Sequence, residues 1–513
     1  MDYVMGIDLG STSLKAVIYD LSGLRVAYGS RPTQRFHPSA EHPEWTVWQP
    51  EQIWNDTAAA AREAVAQIDD PRRIRAVAVT GMGMDGLPVA ADGKWLYPLI
   101  SWLDPRTAPQ LQWWREHVGM ERTFVIAGNP VWPINSALRM LWMFEHEPAI
   151  MQQADKWLLI EDFLNFMLCG RQVTDPSMAS CTLLFDQRAR GWSADLLQAA
   201  GIPRRLLCEV LPSGTLIGEV QASASQATHL PEGTPVVLGG HDHLCGALPV
   251  GAFRPGVVLD VTGTWESVLT TLSDPLLDPK LQTSGMTVQA HVARDRHAVW
   301  GGNPCADMLE WFRRECLAES ASGEDAWEDL IRQLSASPPG ARRVLFLPHM
   351  SGAGCPVVDA QSMGAFVGLS NRAAAADLLR AVIEGLDLQF LDIVTTMESV
   401  LGKPLERLVA VGGGTRNPFW MQNKADMAGR ALEVPDIAEA TPLGAAILAG
   451  IGVGLFRDEQ DAFERVYRPG ARYEPDSRHT QRYAELFEVY RDVYPALSPV
   501  HRRIADNAPE VGG

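Results

Sequence analysis

The sequence predicts an α/β protein of two domains that flank a central cleft. Three observations predict it. The chain has 513 residues, and single cores stop growing near ~250–300 residues, so two domains with a cleft between them follow. It opens on three apolar strands, a helix and a strand. The same plan then returns after the middle of the chain.

Residues 3–9, YVMGIDL, read as a buried strand, GSTS as a tight turn and SLKAVIYD as a second strand. DLSG turns into a third, LRVAYGS. Two hairpins in succession call for antiparallel strands in a mixed sheet. In PEQIWNDTAAAAREAVAQI, residues Ile53, Thr57, Ala60, Ala64 and Ile68 share one helical face. IRAVAVTG completes a β-β-β-α-β opening, the mark of an α/β domain. Further on, PVVLGGHDH reads as strand then turn, and GVVLDVTGTWESVLTTL as strand, GT turn, strand. That repeat of pattern divides the chain into 1–254 and 255–500, with 501–513 as a frayed tail. Residues 371–401 form a long helix capped by Asn371 and stopped by Gly402 and Pro404. Its stripe of Leu379, Ile383, Leu386, Phe390, Ile393 and Met397 must be buried. LERLVAVGGG is a strand running into three glycines. ATPLGAAILAGIGVG is a small-residue helix able to pack closely on a neighbour.

Composition excludes some partners. A net charge of -18 repels nucleic acid phosphates and anionic lipid, so neither is expected to bind. Seven cysteines without a C-x-x-C pair read as free thiols in a reducing compartment. MDYVMGIDLG has no signal-peptide pattern. The longest apolar stretch, PLGAAILAGIGVGLF, falls short of the ~18 residues of a spanning helix. A cytoplasmic protein is the expectation.

Three Gly/Thr-rich turns each follow an apolar strand: DLGSTS (8–13), VTGTWE (261–266) and VGGGTRNP (411–418). Glycine lets backbone N–H groups approach an anion, and hydroxyls add donors. One such turn is usually only a turn; three on strand ends point to phosphate. None fits a P-loop or a dinucleotide fingerprint. Asp8 sits in an apolar strand and needs a partner, either Mg²⁺ or the amides of its own turn. In LGGHDHLCG, Asp242 stands between His241 and His243, which suits a metal site or a base. Three adjacent side chains on a short turn are not expected to converge on one ion, so zinc is disfavoured.

GAFVGLSNRAAAADLLRAVIE (364–384) is similar to the C-terminal signature of the FGGY carbohydrate kinases, through Gly364, Phe366, Gly368, Leu369, Asp377, Leu378, Ala381 and Glu384. GIDLGSTSLKAVIYD resembles that family's first phosphate motif and VGGGTRNPFWMQNKADMAG its adenosine motif. In SALRMLWMFEHEP, Arg139 stands where lysine is usual. TGMGMDGLPVAADGKWLYPLISWLDPRT (80–107) looks most like the fuculokinase branch, which has threonine where His243 stands.

The resemblance covers nearly the whole chain. It implies two actin-like ATPase (ribonuclease H-like) domains, the first binding sugar and the second ATP. It implies ATP and Mg²⁺, with a ketose or polyol as acceptor, L-fuculose or xylulose-like. Asp242 takes the role of catalytic base. Met84, Asp85, Trp102, Asp104, His241, Asp242 and Glu266 are the expected sugar contacts, Glu266 having an ion pair within the second domain as its other reading. Ser11, Thr12, Lys15, Thr262, Gly263, Thr264, Gly413, Gly414 and Asn417 are the expected ATP contacts. Asp8 and Asp242 are placed at the metal. Dimers are common in the family, so a homodimer is one state it allows. The rival readings are an actin-like filament or chaperone ATPase, and a sugar sensor without catalysis.

Overall fold

Two mixed sheets divide the chain between them. The computed structural model describes residues 2–316, 334 and 336–507. The first sheet holds β1 (Tyr3–Leu9), β2 (Ser13–Asp20), β3 (Arg25–Pro32), β4 (Ile74–Gly81), β5 (Leu216–Glu219) and β6 (Pro235–His241), in the order β5-β6-β4-β1-β2-β3. The second holds β7 (Val257–Thr262), β8 (Trp265–Leu272), β9 (Thr287–Ala290), β10 (His297–Pro304), β11 (Arg407–Val411), β12 (Leu432–Val434) and β13 (Ala471–Tyr473). Its order is β9-β10-β8-β7-β11-β12-β13.

The two sheets share one plan. β1, β2 and β3 run antiparallel with β4 parallel to β1. Likewise β7, β8 and β10 run antiparallel with β11 parallel to β7. Short glycine turns force the antiparallel hairpins. A crossover through helix α1 (Pro50–Val65) allows the parallel pair.

The near-continuous apolar run of β1 reflects burial on both faces. Met5, Ile7 and Leu9 join Ile53, Ala60 and Ala64 of α1 in one core. Val4 joins a second core with α2 (Asp242–Ala247) and the late helix, which also takes in Val257, Leu259 and Val409 of the second sheet. That late helix therefore lies between the sheets, packed against β1, β4 and β6. A third core sets the far face of the second sheet against α3 (Ala375–Leu401) and α4 (Pro418–Ala428). The late helix is α5 (Ala440–Gly452), and α6 (Ser477–Asn507) closes the described chain.

Two expectations are corrected. Asn371 does not cap the long helix, which begins at Ala375 with Ala374 as its N-cap. Asp377 accepts the Ala374 N–H at 2.9 Å, closing the first turn from inside. Residues 501–507 are not tail: α6 continues through them, and the buried His501 accepts the Met363 N–H at 3.2 Å. The last six residues lie outside the described residues. All seven cysteines are unpaired, and among the described residues no helix is long and apolar enough to cross a membrane.

Candidate active site

Strand ends gather the site. β1, β4 and β6 are parallel neighbours, with Asp8 opposite Thr80 and His241 opposite Gly81. Their C-terminal ends therefore deliver Asp8 and the HDH turn to one edge, where ligands bind in open α/β sheets. Asp242 does not stay in a loop: it opens α2, with His241 as N-cap.

The Asp242 carboxylate is a third exposed. Its Oδ1 accepts the His243 N–H at 2.6 Å and lies 3.3 Å from His243 Nδ1 and 3.6 Å from His241 Nε2. Burial works to raise its pKa, but the His243 hydrogen bond and the two imidazoles outweigh it and hold the carboxyl below the usual range. Burial, then the neighbouring His243, press the His241 pKa down to about 3, so that ring is neutral at physiological pH. Three adjacent side chains were not expected to converge on one ion, yet one ligand atom from each lies within 4.8 Å of the others. The switch from strand to helix between His241 and Asp242 folds the two rings together, 4.1 Å apart.

The turn is fastened from behind by residues that carry no sequence motif. Gly239 N–H donates to Glu161 Oε1 at 3.1 Å, and His241 N–H to Ser177 Oγ at 2.9 Å. Asp175 in turn accepts the Ser177 N–H and hydroxyl. Gln289, from β9 of the second sheet, reaches His243 Nε2 at 2.6 Å. Only tertiary structure brings these together.

The Asp8 side chain is buried, and among the described residues its carboxylate accepts no hydrogen bond. Burial, then the charge of Asp242, push its pKa up to about 8. Lys15, its cross-strand neighbour, pairs with Glu439 at 2.7 Å. Ser11 and Thr12 lie on the open side of the turn between them.

A second group of side chains lies beyond strand β4. Asp85 is fully buried; its Oδ2 accepts the Trp48 indole N–H at 2.6 Å. Its Oδ1 has no hydrogen bond and lies 3.7 Å from Arg139 Nη2, while Arg139 Nε is also unpartnered. Burial raises the Asp85 pKa to about 7 against the pull of Arg139. Met84 holds a φ of 81°, a costly conformation of the kind found at functional sites. Trp102 is half-buried beside them.

Three expected contacts are corrected. Asp104 is sealed: Arg106 Nε, Nη2 and N–H and the Thr46 N–H fill its acceptor positions at 2.6–3.0 Å, leaving none for a sugar. Glu266 is buried against Lys424 Nζ at 2.6 Å, which also holds Asp260 at 2.5 Å; the ion-pair reading is the one the structure has. Thr262 is buried and donates its hydroxyl to Asp260 at 2.9 Å, so it offers no free donor.

The third glycine turn borders a cavity of about 550 Å³ lined by Thr264, Ala306, Leu309, Gly413, Asn417 and Trp420, among others. Asn417 caps α4 by accepting the Trp420 N–H at 3.2 Å, which leaves its Nδ2 buried without a partner. A Cβ on Gly414 would stand 2.5 Å from Thr262 Cγ2, so glycine is what lets the second and third turns interlock. Gly263 is half-buried beside them and Thr264 exposed.

Two mixed sheets of one plan, with carboxylates and glycine turns at their strand ends, are the architecture expected of a two-domain phosphotransferase. The chain belongs to the FGGY family of carbohydrate kinases, matching its N-terminal domain over residues 3–249 and its C-terminal domain over 259–453. It is 30% identical to the L-fuculokinase of Escherichia coli (strain K12) over 466 residues, 91% of this chain and 96% of that one. It is 29% identical to the xylulose kinase of Lactococcus lactis, across 99% of both chains. The crystal structure of xylulose kinase from Rhodospirillum rubrum superposes with a TM-score of 0.89 at 28% identity, covering 98% of this chain and 100% of that one. The protein is thus an ATP-using carbohydrate kinase, and the filament, chaperone and sensor readings give way to it.

Proposed function

We propose that this kinase transfers the γ-phosphoryl group of ATP to a hydroxyl of a ketose or polyol, L-fuculose or xylulose-like, with Asp242 as general base. The observation that carries the reading is the Asp242 carboxylate, held ionised at the cleft edge and partly open to it. Phosphoryl transfer has a loose transition state, so the base mainly orients the nucleophile and removes its proton late. A depressed pKa suits that role. The hydroxyl oxygen bonds to the γ-phosphorus, the bond to the β–γ bridging oxygen breaks, ADP leaves, and the proton passes to Asp242.

The sugar is assigned to the unit 1–254, with Asp85 Oδ1 as acceptor, Met84 and Trp102 as walls and His241 bordering the reacting hydroxyl. ATP is assigned to 255–500. The base of the nucleotide fits the cavity beside Gly413, Gly414 and Asn417, whose unpartnered Nδ2 suits a ring nitrogen or a ribose hydroxyl. Its phosphates fit the turns of Gly263 and Thr264 and of Ser11 and Thr12, with Lys15 behind. The charge of Asp242 helps to raise the pKa of Asp8, and the two carboxylates make an all-oxygen pair of the kind Mg²⁺ takes. They would hold that ion, which supplies charge neutralisation at the β- and γ-phosphates.

A coupled ADP assay over ketoses, aldoses and polyols tests the substrate class. Asp242→Asn should lower kcat roughly 10²–10⁴-fold with sugar binding retained. Near-normal turnover in that variant would remove the base from Asp242.

A further inference from the structure

His241, Asp242 and His243 are arranged as metal ligands are. His241 Nε2 and His243 Nδ1 face the same carboxylate oxygen at 3.6 and 3.3 Å. A tetrahedral zinc ion with bonds of about 2.0–2.2 Å keeps its ligand atoms roughly 3.3 Å apart. The far nitrogen of each ring is occupied as well. His241 Nδ1 meets the Cys181 sulfur at 3.5 Å, and His243 Nε2 meets the Gln289 amide at 2.6 Å. It is the amide nitrogen of Gln289 that meets His243; turning that amide over would bring its oxygen, which has no other partner, to accept the His243 N–H, as metal-binding histidines require of the nitrogen that does not bind. Trp300 packs over the His243 ring at 5.2 Å, shielding one side. The exposed third of Asp242 leaves the other side open for a fourth ligand.

We propose that these three residues form a binding site for a borderline transition-metal dication such as Zn²⁺, and that filling it switches the kinase off. Two imidazoles and one carboxylate select such ions over Mg²⁺, which prefers oxygen throughout. An ion there takes the carboxylate lone pairs that the sugar hydroxyl needs. The inhibitory half of the proposal rests on Asp242 being the base; the binding half does not.

The test is a titration of the full-length kinase with CoCl₂, without ATP or sugar, followed by visible absorption. One equivalent should give the saturable spectrum of a low-coordinate Co²⁺ centre, displaced by ZnCl₂. His243→Asn should abolish it. Gln289→Leu, which removes the amide beside the far nitrogen of His243 and leaves all three ligands in place, should weaken Co²⁺ binding roughly 10–100-fold. With saturating Mg²⁺ and ATP, ZnCl₂ should inhibit sugar phosphorylation competitively with the sugar, and chelation followed by restored Mg²⁺ should reverse it. No saturable spectrum in the parent protein, or an unchanged one in His243→Asn, overturns the site. A saturating spectrum with undiminished turnover overturns the switch alone. Normal zinc-free turnover in Asp242→Asn would instead overturn the base assignment, leaving the spectrum as evidence for the site.

Discussion

At Asp85 the fold opposes ionisation and then leaves the carboxylate something to do. Burial raises its pKa to about 7, against Arg139, the Trp48 indole and the Trp102 N–H, with Asp104 adding a further push upward. The folded state therefore holds a proton that the unfolded chain gives up between about pH 4 and pH 7, so this group lowers stability as pH rises through that window. Only the ionised form accepts a hydroxyl proton on both oxygens. The kcat/KM for sugar should rise with pH and level off above about 7. Asp85→Asn should flatten that limb and lower the plateau about 10–100-fold, the worth of a hydrogen bond to a charged acceptor. A pH profile unchanged by the substitution would take Asp85 out of the sugar site. The position of Asp85 and Asp242 on glycine turns after strands was legible in the sequence. Asp104 and Glu266 were misread because a partner decides what a carboxylate does. Lys424 lies 158 residues from Glu266, a distance over which sequence spacing says nothing.

The two hairpins show what duplication does to one element. Asp8 is the last residue but one of β1 and Asp260 lies near the end of β7, each before a glycine turn. In the second copy Lys424 from α4 neutralises Asp260 and Glu266, and no side chain of the pair meets solvent. In the first copy Lys15 pairs with Glu439 and only partly offsets the burial of Asp8, which is left facing Asp242. The strand-turn-strand pattern was legible in both; the difference was not, since it depends on which helix crosses behind. Lys424→Met should leave two buried carboxylates uncompensated and cost about 3–5 kcal/mol, read as a lower urea midpoint by circular dichroism. The KM for ATP should rise with it, because Thr262 hangs from Asp260 at the base of the second turn. An unchanged midpoint would show that the triad does not fasten α4 to the sheet.

Across the whole molecule the two sheets are tied in two places. At one edge β9 donates Val288 N–H to Gly128 O at 2.7 Å and Ala290 N–H to Ser180 Oγ at 3.1 Å. At the other, α5 lies across the first sheet although its sequence falls between strands of the second. Its small residues announced a close crossing but not the sheet it would cross, because nothing in ATPLGAAILAGIGVG names a partner. A Cβ on Gly444 would stand 1.9 Å from Cys245 O, and one on Gly6 would stand 1.9 Å from Pro442 O. Both contacts are backbone, so a methyl group there must displace a helix rather than a side chain. If the two units close on their substrates, ties this near the core make the motion a rotation that carries the turn of Thr12 toward the interlocked turns of Thr264 and Gly413. Sugar with a non-hydrolysable ATP analogue should therefore shrink the radius of gyration in solution scattering. Gly444→Ala should cost about 1–3 kcal/mol by overpacking, blunt the contraction, and lower kcat while sugar still binds. If Gly444→Ala contracts and turns over like the parent protein, the pivot lies elsewhere than at the crossing of α5 and α2.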